Sequence, residues 1–235
     1  MHRQGVKVVF FDAGGTLIAP RSSFGEIYSR VLEPLGIQVD PMEFRQAARE
    51  AWSEFDGVIG RGRDRYSHYP GGELEYWLRY VTRVLERVSN AGRAEEAAAA
   101  LHAAFSDPQA WSVFPEVRPT LKTLRERGKR LGVISNWDSR LRALLESLDL
   151  AREFETIVVS CEVGVEKPHE AIFERALESL GVEAREAFHV GDDPISDYEG
   201  PRSAGLGAAL LVRAGSSPPG VTSVSALDGL LPLIF

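Results

Sequence analysis

From about residue 115 onward, short apolar runs rich in β-branched residues alternate with stretches that have the spacing of helices. This alternation is typical of βαβ units, in which parallel strands form a sheet covered by helices. The runs predict strands at 130–135, 155–160, 186–191 and 207–212, and the opening run 6–11 belongs with them. The stretches with helical spacing predict helices that include 169–181, one near 195–204 and a last one at 223–234. We therefore predict an α/β fold with a Rossmann-like parallel sheet core, whose functional side chains gather at the carboxyl ends of the strands.

The stretch between the first two of these strands has a different pattern. Its apolar residues recur three and four apart, as in amphipathic helices, and no convincing strand is present. Helices are predicted over 24–36, 41–55, 72–88 and 93–105. We therefore predict a core domain built from residues 1–19 and 113–235, with an inserted α-helical cap domain at residues 20–112.

Polar residues follow several of the predicted core strands. Asp12 ends the first, Ser135 and Asn136 end the next, and Lys167 opens the helix after the third. The fourth runs into GDDPISD, which contains Asp192, Asp193 and Asp197. Because the carboxyl ends of parallel strands share one edge of a sheet, we expect these side chains to lie together.

Carboxylates placed this closely repel one another unless a cation joins them, and hard oxygen ligands suit Mg²⁺. Asp12, Asp192 and Asp197 are the candidate metal ligands. Ser135, the Asn136 backbone and Lys167 are suited to hold a phosphate. Asp12 is then placed to act as a nucleophile that forms an aspartyl-phosphate.

The motifs FFDAGGTL, VISNW, EVGVEKP and HVGDDPISD, in this order, resemble those of the haloacid dehalogenase-like hydrolase superfamily. The helical insert resembles the cap of its subfamily I. The resemblance implies Asp12 as nucleophile and metal ligand, the Gly14 carbonyl as second ligand and Asp192 as third. It places Asp193 and Asp197 in or near the outer shell of the metal. Ser135 and Lys167 would hold the transferring group.

One position departs from that pattern. Phosphatases of the family usually carry a second aspartate two residues after the nucleophile, and here that residue is Gly14. Either another group supplies the proton, or the enzyme is slow, or the leaving group of the substrate needs no proton. Two alternatives stay open beside an Mg²⁺-dependent phosphatase. One is a 2-haloacid dehalogenase, and the other is a phosphate-binding module with little or no turnover.

The segment GVIGRGRDRYSHYPGG lies between two predicted helices of the insert. Arg61, Arg63, Arg65 and His68 are possible contacts to an anionic substrate, and His68 could supply the missing proton. Residues 20–112 contain no lysine, so no lysine of the insert can form a Schiff base with a substrate.

Composition narrows the partners. The net charge of −7 argues against a general nucleic-acid partner, and no apolar run has the length of a membrane span. The single cysteine, Cys161, is consistent with a cytoplasmic location. We expect a small phosphorylated substrate, Mg²⁺ as cofactor, and a monomer or homodimer.

Overall fold

The computed structural model describes residues 5–59, 62–88 and 92–235. The chain divides into two compact units. The first, here called the α/β unit, comprises Met1–Ala19 and Val113–Phe235. The second, here called the helical unit, comprises Pro20–Ser112.

Strands and helices are numbered separately in chain order. The strands are β1 (Val8–Phe11), β2 (Ile18–Pro20), β3 (Trp111–Val113), β4 (Arg130–Ser135), β5 (Thr156–Val159), β6 (Ala187–Gly191), β7 (Gly207–Leu211) and β8 (Ser223–Val224). The α-helices are α1 (Phe24–Leu32), α2 (Pro41–Ile59), α3 (Gly72–Val88), α4 (Ala94–Ser106), α5 (Val117–Glu126), α6 (Leu141–Ser147), α7 (Ser160–Val163), α8 (Glu170–Leu180), α9 (Gly200–Ser203) and α10 (Leu231–Ile234).

Six strands form one parallel sheet in the order β5-β4-β1-β6-β7-β8. The four residues of β1, the VVFF run, are all buried, as expected for a strand covered on both faces. β1 pairs with β4 on one side and with β6 on the other. The predicted α/β, Rossmann-like class is confirmed. The strand order changes direction around β1, and such switch points are where ligands bind in open α/β sheets.

Helix α8 shows how sequence specifies the layer that covers the sheet. His169 accepts a hydrogen bond from the Ala171 backbone N–H at its start, and Gly181 ends it in the left-handed conformation with φ 62°. Its apolar face is buried in one cluster with residues of β1 and β4. That cluster includes Val8, Phe10, Ile134, Ile172, Phe173 and Ala176.

The helical unit contains α1 to α4, with α2 against both α1 and α3, and α4 against both as well. Ser23 and Glu26 form a capping box at the start of α1. Aromatic side chains fill much of the interior between α2 and α3. Trp52, for example, meets Tyr80 edge-on, with ring centroids 5.7 Å apart.

Three features differ from the sequence prediction. The short strands β2 and β3 pair with each other at the margins of the stretch predicted to be wholly helical. The predicted last helix, 223–234, instead begins with β8 and continues as a 3₁₀ turn and α10. The helix predicted near 195–204 is a π-helical segment, Pro194–Glu199, followed by α9. Elements of two to six residues depend on their tertiary partners more than on local periodicity.

Candidate active site

The register of the sheet brings three polar strand ends level with one another. Phe11 pairs with Val133 of β4 and with Val190 of β6. Asp12 follows at once, and its backbone N–H donates to the Val190 carbonyl at 2.9 Å. Ser135 and Asp192 lie two residues beyond the paired valines, so both flank Asp12 at the carboxyl edge.

Asp12 is only 8% exposed, and its carboxylate has a fixed direction. Its Oδ1 accepts hydrogen bonds from the Lys167 Nζ at 2.7 Å and from the Ser135 hydroxyl at 3.0 Å. Within the described part of the chain, no donor reaches the second oxygen, Oδ2. One oxygen is thus held by the protein, and the other is left for a ligand.

Lys167 is 3% exposed and donates to three acceptors. Its ammonium contacts Asp12 Oδ1 at 2.7 Å, Asp197 Oδ1 at 2.6 Å and the Ile134 carbonyl at 2.8 Å. Burial alone would lower the pKa of Lys167, but the two carboxylates outweigh it and raise the pKa. The lysine is therefore a fixed positive charge at the sheet edge.

Asn136 holds the backbone of this lysine. Its Oδ1 accepts from the Lys167 N–H at 2.7 Å, and its Nδ2 donates to the Lys167 carbonyl at 2.9 Å. The side-chain amide is therefore engaged, which leaves the Asn136 backbone as the group that could contact a phosphate. This pair of hydrogen bonds joins the end of β4 to the segment before α8.

The acidic motif after β6 brings Asp192 and Asp197 close to Asp12, and these three aspartates are here called the acidic cluster. Asp192 and Asp197 differ in their hydrogen bonds. Asp197 is 2% exposed, and its Oδ1 accepts from Lys167 and from His189 Nε2 at 3.0 Å. Its Oδ2 accepts from the Asp193 N–H at 3.0 Å. Both oxygens are thus taken by protein donors, which suits an outer-shell partner better than a metal ligand. Burial would raise the pKa of Asp197, but Lys167 and His189 outweigh it and lower the pKa.

Asp193 lies outside the acidic cluster. Its carboxylate caps the π-helical segment and accepts from the Ile195 N–H at 3.0 Å and the Ser196 N–H at 2.7 Å. This is the use that an aspartate commonly has at a helix start. Its backbone contacts Asp197 twice: the Asp193 N–H donates to Asp197 Oδ2 at 3.0 Å, and the Asp193 carbonyl accepts from the Asp197 N–H at 2.9 Å.

The carboxylates of Asp12 and Asp192 fit a divalent cation, with Asp197 beside them as an outer-shell partner. Asp12, Asp192 and Asp197 each bring a carboxylate oxygen within 4.8 Å of the others. Three carboxylates face one ammonium there, so negative charge is left uncompensated. Burial raises the pKa of Asp12 to about 7, against the pull of Lys167. Asp192 is exposed as a residue, but the partial desolvation of its carboxylate, with the charge of Asp197 adding, raises its pKa to about 6. A bound cation would stabilise the charged form of carboxylates whose negative charge is uncompensated, and oxygen ligands favour Mg²⁺ or a similar hard ion.

Gly15 allows Asp192 to approach the loop after Asp12. Its φ is +75°, and a Cβ at this position would lie 2.3 Å from the Asp192 Oδ2. Only glycine meets both demands. The Gly14 carbonyl, the predicted second metal ligand, belongs to the same loop and stays a prediction.

The predicted substrate contacts of the helical unit fall into three groups. Arg61 lies outside the described residues. Arg63 and His68 are exposed, and His68 Nδ1 lies 3.2 Å from the Ser67 hydroxyl. Arg65 is half-buried, with its guanidinium 4.2 Å from the centroid of the Trp52 ring. A cation–π contact therefore engages Arg65 inside the helical unit, and the substrate roles of all four residues stay predictions.

Comparison with known proteins decides the family. Residues 6–205 match the family model described as a haloacid dehalogenase-like hydrolase. The chain belongs to the haloacid dehalogenase-like hydrolase family. It is 31% identical to human haloacid dehalogenase-like hydrolase domain-containing protein 3, covering 98% of this chain and 92% of the relative. It is 36% identical to the phosphoserine phosphatase of Thermus thermophilus, covering 72% of this chain and 71% of that enzyme.

Solved structures of the family share the fold. A family hydrolase from Bacillus subtilis, YfnB, solved bound to magnesium, has a TM-score of 0.77 at 15% identity, with 98% of this chain and 99% of that chain covered. The L-2-haloacid dehalogenase RSc1362 has a TM-score of 0.74 at 21% identity, with the same coverage. Because phosphate and halide chemistry occur on this one family fold, the fold does not choose between them.

His189 is the residue of this cluster that sequence reasoning missed. It is fully buried, and burial lowers its pKa, so the ring is neutral. Its Nδ1 has no hydrogen-bond partner among the described residues, which places the single proton on Nε2, toward Asp197. The sequence signal was a polar residue inside the buried run AFHVG of β6.

Across the described residues, no helix is both long and apolar enough to cross a bilayer.

Proposed function

We propose that the protein is a Mg²⁺-dependent phosphatase of small phosphorylated metabolites that acts through an aspartyl-phosphate on Asp12. One observation carries the proposal: Asp12 is buried at the sheet edge, with Oδ1 held 2.7 Å from the Lys167 ammonium and 3.0 Å from the Ser135 hydroxyl. A phosphatase among the relatives supports it. The helical unit would serve as the cap that selects the substrate.

In the first step, an oxygen of Asp12 attacks the phosphorus of the ester. The new bond joins that oxygen to phosphorus, and the bond from phosphorus to the leaving oxygen breaks. The electron pair of the broken bond departs with the alkoxide or aryloxide. Lys167 and Ser135 would each exchange the hydrogen bond to Asp12 Oδ1 for one to a phosphoryl oxygen, so that charge developing there meets an ammonium and a hydroxyl donor.

In the second step, water attacks the phosphorus and the bond to Asp12 breaks. The carboxylate is regenerated, and both hydrogens of the water leave with the dihydrogen phosphate product. The departed alkoxide or aryloxide takes its proton from solvent. Asp192 and Asp12 would hold the metal, with the Gly14 carbonyl. When bound, Mg²⁺ neutralises charge on the phosphoryl oxygens.

Removal of metal should stop turnover. Protein treated with a chelator and then dialysed should lose at least about 100-fold in kcat on p-nitrophenyl phosphate, because uncompensated carboxylates repel a phosphate dianion. Added Mg²⁺ should restore activity, whereas the larger Ca²⁺ should not. Calorimetric titration of Mg²⁺ into Asp192→Asn should show much weaker binding than into wild type. Full activity in excess chelator would contradict the metal role.

The leaving group should control the rate strongly. Because Gly14 offers no proton donor, aryl and acyl phosphates, whose leaving groups are weak bases, should be hydrolysed faster than alkyl phosphates. A general acid is worth about 10²–10⁴-fold, so we expect kcat/KM ratios on this order between phenyl and methyl phosphate. Equal values would reveal an acid elsewhere, and His68→Ala would test one candidate.

A parallel screen separates the proposal from its alternatives. Purified protein is tested with Mg²⁺ on a panel of phosphorylated metabolites and, without metal, on 2-haloacids. Phosphate release is the expected result. Halide release without Mg²⁺ would select a dehalogenase. Binding of phosphate and Mg²⁺ with no product over hours would select a phosphate-binding module.

A further inference from the structure

The indole ring of Trp137 occupies the space into which a side chain at position 14 would project. A Cβ placed on Gly14 would lie 2.8 Å from Cζ3, 3.6 Å from Cη2 and 3.8 Å from Cε3 of Trp137. These atoms belong to the six-membered part of the indole. A contact of 2.8 Å is closer than carbon atoms tolerate, so ring and side chain cannot share this position unless one of them moves.

The backbone of Trp137 is anchored, so the ring can move away from position 14 only by rotation about its side-chain torsions. The hydroxyl of Ser160, fully buried at the start of α7, accepts from the Trp137 N–H at 3.1 Å and donates to the Trp137 carbonyl at 3.2 Å. The Cys161 N–H donates to the same carbonyl at 3.4 Å. The residue is thus bound to the end of the neighbouring strand β5.

Space, and not backbone conformation, is what requires glycine at position 14. Gly14 is absent from the positive-φ residues, whereas Gly15 has a φ of +75°. An alanine at 14 would therefore meet no backbone strain, only the ring. An alanine at 15 would meet both an unfavourable φ and the Asp192 carboxylate at 2.3 Å. The two adjacent glycines thus have different physical reasons, and this offers a matched control.

We propose that Trp137 is a specificity-determining residue: its ring fills the space that a proton-donating side chain at position 14 would need, and with glycine there hydrolysis is restricted to phosphate esters with weakly basic leaving groups. The inference rests on the proposed phosphatase activity and deepens it. In place of a proton donor, the loop after Asp12 is faced by an apolar aromatic edge. Aryl phosphates and acyl phosphates are the substrate classes that need no proton at that point.

A double-mutant cycle tests the steric part without reference to activity. Gly14→Ala in the wild-type background should lower the melting temperature by about 2–10 °C, as expected for overpacking in a protein of this size. In the Trp137→Ala background, Gly14→Ala should lower the melting temperature by less than about 2 °C. Gly15→Ala should lower the melting temperature equally in both backgrounds. Equal losses for Gly14→Ala in both would overturn the proposal. Trp137→Leu replaces Trp137→Ala if the latter fails to fold.

Leaving-group specificity tests the functional part. Gly14→Asp combined with Trp137→Ala introduces a carboxyl group beside the nucleophile and makes room for it. This double variant should raise kcat/KM on methyl phosphate at least about tenfold over Trp137→Ala alone, which narrows the phenyl-to-methyl ratio. Gly14→Asp alone should bring no gain. A gain in Gly14→Asp alone, or none in the double variant, would overturn the proposal.

The two levels of failure are distinguishable. If wild-type protein hydrolyses no phosphate ester at all, the proposed function fails and the specificity role fails with it. Suppose instead that wild type hydrolyses aryl phosphates, but Gly14→Ala lowers the melting temperature equally in the wild-type and Trp137→Ala backgrounds. The proposed phosphatase activity is then retained, and the proposed role of Trp137 is wrong.

Discussion

Asp12→Asn should abolish phosphate release. The amide is a far weaker nucleophile than the carboxylate and cannot form the aspartyl-phosphate, so both half-reactions are lost. Removing the nucleophile of a covalent enzyme costs on the order of 10⁶-fold in kcat in a serine protease, and we expect a loss of at least about 10⁴-fold here. Steady-state release of p-nitrophenol with Mg²⁺ measures it.

A second aspartate of the α/β unit serves as the control. Asp149 is exposed, makes a surface ion pair with Arg152 at 2.7 Å, and has a φ of 55° that asparagine also adopts readily. Asp149→Asn should keep the wild-type kcat. Turnover that survives Asp12→Asn would discard the covalent mechanism. A trapped acyl-phosphate on wild type after a rapid acid quench, absent in Asp12→Asn, would add direct evidence.

Lys167→Met should both inactivate and destabilise the protein. The ammonium is the shared partner of Asp12 and Asp197, at 2.7 and 2.6 Å. Its removal leaves two buried carboxylates facing each other without a counter-charge. Breaking a buried ion pair from one side costs about 3–5 kcal/mol in the free energy of unfolding, which denaturant titration measures. Phosphate release should be lost as well, because the fixed charge opposite the phosphoryl oxygens is gone.

A double variant separates these two effects. Lys167→Met combined with Asp197→Asn restores part of the charge balance and should recover stability, but not activity. Lys122→Met is the control, since Lys122 is exposed and its pair with Glu126, at 3.8 Å, is a surface pair of little worth. Activity that returns with stability in the double variant would show that Lys167 has only a structural role.

Much of the α/β unit was predictable because its signals are local. The VVFF run of β1, the apolar spacing of α8 and the polar residues at the strand ends are properties of short segments. Parallel strands then dictate that those ends share an edge. Asp12, Ser135, Lys167, Asp192 and Asp197 could therefore be placed in one region before any coordinates. The helical stretches of residues 20–112 were also predictable, although their role as a cap stays a prediction.

Short elements resisted prediction, since their few residues carry little periodicity. Strands β2 and β3 have three residues each and exist because they pair with one another. The π-helical turn after β6 follows from the cap that Asp193 makes and from the burial of Asp197, neither of which the motif letters state.

The sequence alone determined which chemical groups the sheet edge would hold, because residue type and strand position are written along the chain. Tertiary structure alone decided how they are used. Asn136 hydrogen-bonds to the backbone of Lys167, 31 residues away in sequence, and the Lys167 ammonium hydrogen-bonds to Asp12, 155 residues away. The ring of Trp137 closes the space beside Gly14. Such contacts depend on distances and directions between segments remote in sequence, which side-chain packing sets and local patterns do not encode.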